Sequence, residues 1–347
     1  MKKLFGLTAV CAAAVLGAAV FTACGGETPK TLSFAGDLQE LYGGDDGYPQ
    51  AVLVAKKSVL ESDEGAVGTL LSYFEGSKSY LENTSGATIA NLLSGKYVSG
   101  QTPIFNANNL TKEVVKNCSV RFTKSVDCKA KVNAFLSKLV AVDSEFTKTV
   151  DDVFYYTASP VAAASSNTYT VYAPDGAPAL ALANAIQNST GNLFDYHIVA
   201  ATTIAAQVTG ENPSADFCVL PVNAAAKLLG NGQRYQMLGT VTNGNMYFLG
   251  AGEQTTLTSE NLGAALKGKV VGVVQLTNVP GLTFRTVLEE KNIPYEILTN
   301  DTAKKDPDKV YLKAIANPAS EVTPVGGCDY YLCAEPVASA KVSAFQK

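Results

Sequence analysis

From residue 168 onward the chain alternates short apolar strands with short helical segments. That alternation limits its fold more than any other feature. Residues 169–172 (Tyr-Thr-Val-Tyr) read as a strand, 173–178 (Ala-Pro-Asp-Gly-Ala-Pro) as a turn, and 179–187 as a helix. Strands are then expected near 196–200, 216–220, 237–241, 246–249, 270–274 and 330–333, with helices at 203–208, 223–229 and 282–291. Strands that alternate with helices imply an α/β fold with mostly parallel sheets. Upstream, 51–55 (Ala-Val-Leu-Val-Ala) has the continuous apolar character of a buried strand, and helical patterns follow it. The clearest spans 129–142, with Val132, Phe135, Leu136, Leu139 and Val140 on one face at 3.6-residue spacing. Residues 158–167 are small and polar, which marks a linker.

The first 24 residues concern location rather than fold. Lys2 and Lys3 precede an apolar stretch over 4–20, and Phe21-Thr22-Ala23 places small residues directly before Cys24. A basic start, a short apolar run and a small-residue end describe a secretory signal rather than a spanning helix. The pattern resembles a bacterial lipoprotein signal, which implies that Cys24 is diacylated and anchors the protein on the outer face of the membrane. An ordinary cleaved signal with an incidental cysteine is the other reading, and both place the protein outside the cytoplasm. Residues 25–30 form a short tether, and no second apolar run reaches the roughly 18 residues of a membrane span.

Loss of Lys2 and Lys3 with the signal leaves 25 basic residues against 31 acidic ones, a net charge near −6. That argues against nucleic acid and against a polybasic membrane surface. About 320 mature residues are enough for two domains or lobes. Five cysteines remain beyond the signal: Cys118, Cys128, Cys218, Cys328 and Cys333. An odd number excludes a fully paired framework. Cys118–Cys128 and Cys328–Cys333 bridges and buried free thiols stand as alternatives. No cysteine has zinc-site spacing, so neither metal nor cofactor is expected.

Catalytic signals are sparse. His197 is the one histidine, it lies in a strand-like run, and a structural role suits it better than catalysis. No G-x-S-x-G, H-E-x-x-H, P-loop or strand-following G-x-G-x-x-G occurs in the required context. A non-enzymatic role is therefore expected. What the chain offers instead is strand-to-helix turns, where an open α/β sheet collects ligands. Asp175 and Gly176 follow the strand at 169–172, Asn223 follows 216–220, and Thr277 and Asn278 follow 270–274. The same residue types are ordinary caps and turn formers.

These segments resemble the solute-binding lipoproteins of ABC importers in the alkanesulfonate, nitrate, taurine and thiamine-precursor pyrimidine group. The strings that carry the likeness are 172–180 (YAPDGAPAL), 215–226 (ADFCVLPVNAAA), 243–247 (NGNMY), 268–272 (GKVVG) and 334–339 (AEPVAS). The resemblance implies a two-lobed periplasmic-binding-protein-like fold of type II, with a solute held between the lobes. It also implies a monomer that delivers its solute to ABC permease and ATPase subunits, with no cofactor.

The segment order departs from the family. There the YAPDG-type opening comes first, and the AEPV segment is followed by a strand, a Tyr-Pro-Gln-Ala crossing and a helical tail. Here the chain stops at Lys347, and the matching continuation stands at the front as 32–41 (LSFAGDLQEL) and 47–53 (GYPQAVL). The chain reads as a circular permutant: signal 1–24, tether 25–30, family C-terminal half 31–157, linker 158–167, then 168–347. One lobe combines 50–157 with 168–245, and the other combines 31–47 with 246–347. Ten linker residues reach at most ~35 Å, enough to join old ends, and termini of domains are often close. The alternative is a helical module followed by a truncated binding domain.

The expected ligand site is therefore Asp175, Gly176, Asn223, Asn243, Asn245, Thr277 and Asn278, with Tyr48 and Gln50 from the crossing. The expected ligand is a small organic solute, with an anionic head suited to helix N-termini or a ring suited to Tyr48, Tyr172 and Tyr247. Two other functions remain open: an enzyme of the same fold, of the pyrimidine or menaquinone-pathway type, and a sensing or adhesion module without a transporter.

Overall fold

The computed structural model describes residues 31–43, 47–189, 191–299 and 306–346. The signal, Cys24 and the tether lie outside the described residues. Twelve strands are described: β1 (Leu32–Asp37), β2 (Ala51–Lys56), β3 (Val120–Lys124), β4 (Tyr169–Pro174), β5 (Phe194–Val199), β6 (Phe217–Pro221), β7 (Tyr235–Thr242), β8 (Met246–Ala251), β9 (Val270–Val274), β10 (Tyr295–Ile297), β11 (Val310–Ile315) and β12 (Tyr330–Ala334). The helices in the first half are α1 (Leu38–Tyr42), α2 (Lys57–Ser62), α3 (Glu64–Glu75), α4 (Ser77–Asn83), α5 (Gly86–Ser94), α6 (Lys112–Asn117) and α7 (Ser125–Val142). The second half adds α8 (Ala177–Leu180), α9 (Ala183–Asn188), α10 (Val222–Leu229), α11 (Leu262–Leu266), α12 (Val279–Glu290), α13 (Pro318–Glu321) and α14 (Val337–Phe345).

The strands form two six-stranded sheets flanked by helices. One has the order β1-β8-β12-β9-β11-β10, and the other β3-β7-β2-β6-β4-β5. In the first sheet β8 alone runs against its neighbours, antiparallel to both β1 and β12, while β12, β9, β11 and β10 pair in parallel. In the second, β2 is reversed between β6 and β7, β4 pairs in parallel with β5 and β6, and β3, likewise antiparallel to β7, closes the edge. The reversed strands β8 and β2 each enter their sheet straight after the chain crosses from the other one: β7 leads through 243–245 into β8, and the segment after α1 leads through Gly47 into β2.

Central strands are buried on both faces and so read as unbroken apolar runs. All of β2 except Lys56 and all of β9 except Val274 are buried. The last helix, α14, packs against β1, β8 and β12, so the two ends of the described chain meet on one sheet.

One apolar core runs through both sheets, because α12 packs against α1 and α7 between them. Tyr48 sits in this core with no exposed surface, stacked on Phe135 at 5.5 Å and 21° and edge-on to Tyr42 at 5.5 Å. Arg285 of α12 reaches the end of α7. Its Nη1 lies 3.0 Å from Asp143 Oδ2, its Nη2 donates to the Val142 carbonyl (3.3 Å), and its Nε donates to the Tyr295 hydroxyl (3.2 Å).

Two expected helices differ from the structure. Residues 179–187 break into α8 and α9 at Ala181 and Leu182, and the Ala181 carbonyl accepts a hydrogen bond from buried Ser77 (2.9 Å). Residues 203–208 form only a four-residue 3-10 turn, Ile204–Gln207, whose start has no side-chain cap. The expected linker, 158–167, has neither helix nor strand and lies along α3. A Cβ at Gly68 would stand 2.5 Å from the Val161 carbonyl carbon, so only glycine allows that approach. Asp63 ties the linker down, accepting from Ser165 Oγ, Asn167 Nδ2 and the Tyr169 hydroxyl.

Candidate functional site

The two crossings run side by side, and glycines permit it. A Cβ on Gly47 (φ +59°) would meet the Asn243 carbonyl oxygen at 2.3 Å, and one on Gly244 (φ +85°) would meet Gln39 Cγ at 2.5 Å. Four hydrogen bonds then bind this waist. Gln39 Oε1 accepts from the Met246 N–H (2.9 Å), and Gln50 Nε2 donates to Asn245 Oδ1 (2.7 Å). Asn243 donates its N–H to the Ser119 carbonyl (3.1 Å) and its Nδ2 to the Arg121 carbonyl (3.3 Å).

Beside the waist opens a cleft of about 900 Å³ with Gly47 and Asn243 on its floor. One wall is the end of β1 and the start of α1, with Asp37, Gln39 and Glu40. The other comes from α4, α6 and β3 and carries Lys78, Glu82, Lys112, Lys116 and Arg121 over apolar Leu81, Val115 and Val120. The walls thus belong to different sheets and carry opposite charge. Lys78 is paired with Glu82 across one helical turn (3.7 Å). No ion pair among the described residues crosses from Asp37 or Glu40 to Lys112 or Lys116. Asp37 Oδ1 caps α1, accepting from the Gln39 and Glu40 N–H groups (2.7 and 3.3 Å). Burial pushes its carboxyl above the ordinary aspartate value, against the pull of those two bonds. Ser119, on the same rim, holds a left-handed backbone at φ +49°, a conformation that costs energy for a non-glycine residue.

Behind the waist, several buried polar atoms have no partner: Gln50 Oε1, Asn223 Oδ1, Thr147 Oγ1, Thr242 Oγ1 and the Tyr48 hydroxyl. Backbone bonds place Gln50 between strand ends, since its N–H donates to the Thr242 carbonyl (3.0 Å) and its carbonyl accepts from Val222 (3.0 Å). Asn223 Nδ2 donates to the Phe146 carbonyl (3.1 Å), which brings the neighbour of Thr147 to the same strand end. Native structures leave few buried polar atoms unpaired.

The expected site residues separate into three groups. Asn243, Asn245, Gln50 and Asn223 gather at the waist, but only Asn243 reaches the open cleft. Tyr48 belongs to the core, so its ring offers no face to a ligand in this conformation. Asp175 is engaged within the protein: Oδ1 accepts from the Tyr97 hydroxyl (2.6 Å) and the Gly176 N–H (2.7 Å), and Oδ2 from the Gln101 amide (3.3 Å) and the Ile104 N–H (3.0 Å). Asn278 caps α12 by accepting from the Val279 N–H (2.9 Å), and Thr277 beside it is exposed. No hydrogen bond joins Asp175, Thr277 or Asn278 to the waist residues.

His197 stacks on Tyr172 (4.7 Å, 22°) with Nε2 3.0 Å from Asp195, and it does not line the cleft. Glu335 is buried and satisfied by Asn117 Nδ2 (3.0 Å) and by Ser339 N and Oγ (3.1 and 2.7 Å). The Tyr247 hydroxyl donates to the Asn117 carbonyl (3.1 Å).

All five cysteines are free and buried, so neither considered bridge forms. Burial pushes the Cys333 thiol up to about 12. Among the described residues no group of three or more His, Cys, Asp or Glu is placed to hold a metal ion. No helix among them is long and apolar enough to cross a membrane.

Sequence reasoning missed Asp37, Glu40, Lys112 and Lys116. The one local signal is the Thr111 cap, which starts a short helix with two lysines four residues apart. No family model, curated protein or solved structure matches the chain.

Proposed function

We propose that this chain is a two-lobed solute-binding protein. It captures a small organic solute between the lobes and delivers it to an ABC importer, without catalysing a reaction. The observation that carries the reading is the cleft of about 900 Å³, floored by both crossings and walled once by each sheet. Lobes joined by two adjacent connections turn about those connections and close over what lies between. The partnerless polar atoms of Gln50, Asn223, Thr147 and Thr242 sit where such a movement would rearrange contacts.

The strand order supports a type II, circularly permuted architecture. Taken from β4 through α14 into β1 and on to α7, the chain builds β4 to β7 and then crosses to deliver reversed β8. It next completes the sheet that holds β8 through β12 and β1, and crosses back to deliver reversed β2. The reversed strands β8 and β2 are thereby each delivered by a crossing, and α14 lies against the β1 that would follow it. The linker 158–167 would join the family ends, with Cys24 as the lipid anchor.

Equilibrium dialysis of the chain from Gly25, which carries every described element, against a mixed small-solute pool tests the function. The expected result is one chemical class retained at one molecule per chain, identified by mass spectrometry. Retention of nothing above a bulk-protein control would refute capture.

A further inference from the structure

We propose that the solute is a zwitterion with well-separated charges, a short peptide with free termini, whose carboxylate meets Lys112 and Lys116 and whose ammonium meets Asp37 and Glu40. The inference rests on the capture reading and assigns the solute's class.

The charges argue for it. Lys112 and Lys116 stand four residues apart on α6, and like charges at that spacing repel. Among the described residues neither lysine has an ion-pair partner, whereas Lys78 on the same wall is already paired with Glu82. An anion placed between the two lysines turns their repulsion into attraction. On the opposite wall Asp37 uses Oδ1 for the α1 cap and lines the cleft beside Glu40, and no ion pair among the described residues engages either carboxylate. Because burial already disfavours its charged form, a cationic group arriving there gains more than it would at an open carboxylate. A simple anion would satisfy one wall and leave two carboxylates facing it, and a simple cation would do the reverse. A molecule with both ends satisfies both walls and draws the lobes together.

Size and lining agree. About 900 Å³ is near the upper end of the ~300–1,000 Å³ typical of small-molecule sites, more than a single amino acid fills. Leu81, Val115 and Val120 add apolar surface to the basic wall, suited to peptide side chains.

Isothermal titration of the chain from Gly25 with alanine oligomers of one to five residues tests this. One length should bind best, reporting the separation of the walls. Acetylating the N-terminus or amidating the C-terminus of that peptide should each weaken binding at least tenfold. In a Lys112→Gln/Lys116→Gln variant the amidated and free peptides should bind alike. In a Glu40→Gln/Asp37→Asn variant, which keeps a capping side chain at position 37, the acetylated and free peptides should bind alike. Unliganded thermal midpoints of both variants establish that they fold.

If no oligomer binds but another solute is retained in dialysis, this inference falls and capture stands. If neither binds, both fall. A lower unliganded midpoint for the lysine variant, with no peptide response, means that the walls pair directly with each other, and it too overturns the inference.

Discussion

Arg285 and Asp143 join α12 of one sheet to the end of α7 beside the other, and their removal is predicted to be asymmetric. The Arg285 side chain is 9% exposed and that of Asp143 23%. At 3.0 Å and an effective dielectric near 20, the pair attracts by roughly 5–6 kcal/mol before desolvation. Desolvation takes back several kcal/mol per ion, and Arg285 bears most of it. In Asp143→Ala the guanidinium stays buried with only the Val142 carbonyl and the Tyr295 hydroxyl, so the attraction is lost and the burial cost remains. Breaking a fully buried pair in this way costs about 3–5 kcal/mol. The partial exposure of Asp143 lowers the expectation to about 2–3 kcal/mol.

Arg285→Met removes the buried charge itself and lets Asp143 turn to water, so its cost should be about 1 kcal/mol or less. With an m-value of about 3 kcal/mol/M, urea unfolding should show Asp143→Ala lowering the midpoint by about 0.7–1 M and Arg285→Met by a third of that or less. An Arg285→Met variant as unstable as Asp143→Ala would refute the argument.

Other consequences follow from single contacts. Gly47→Ala forces a side chain into a left-handed backbone and against the Asn243 carbonyl. It should lower stability by about 2 kcal/mol or more, read as a thermal midpoint. Gly68→Ala should lift 158–167 from α3 with under about 1 kcal/mol lost, so limited proteolysis should newly cut within 158–167. The hydrogen bond from Ser165, chief among several, holds the Asp63 carboxyl below its usual value. Its contribution is present above pH ~4 and lost as pH falls through the lowered folded value, and Asp63→Asn should flatten the acid limb of urea midpoints. Asp37 has the opposite sign: its raised value makes the protonated form the more stable, and that advantage is lost as pH rises through the folded value. A thiol reagent should find none of the five buried cysteines promptly in the native chain and all five after unfolding.

Legibility followed burial and length. The strands β2, β9 and β12 were readable because burial on both faces leaves continuous apolar runs, and α7 because its apolar face repeats over 18 residues. β10 was not, being three residues long with two of them exposed. β11 hides because Lys313 interrupts its apolar run. The break between α8 and α9 depends on Ser77, about a hundred residues away, which no local pattern contains. The turns after β4 and β9 are present, whereas β6 runs directly into α10 with Asn223 already helical. Asp175 has the residue type and position of a ligand group, yet Tyr97, Gln101 and Ile104 occupy its carboxylate. The cleft walls were invisible for the same reason, since Asp37 and Lys116 line one cleft only because the crossings bring two sheets together.

The central claim is that two lobes complete each other and close on a solute, and calorimetric unfolding of the chain from Gly25 with and without the dialysis-retained solute tests it most directly. The account predicts one cooperative transition for the whole chain, raised by about 2.7 kcal/mol of added stability at a hundredfold excess over the dissociation constant. Two separate transitions, neither shifted by the solute, would contradict it.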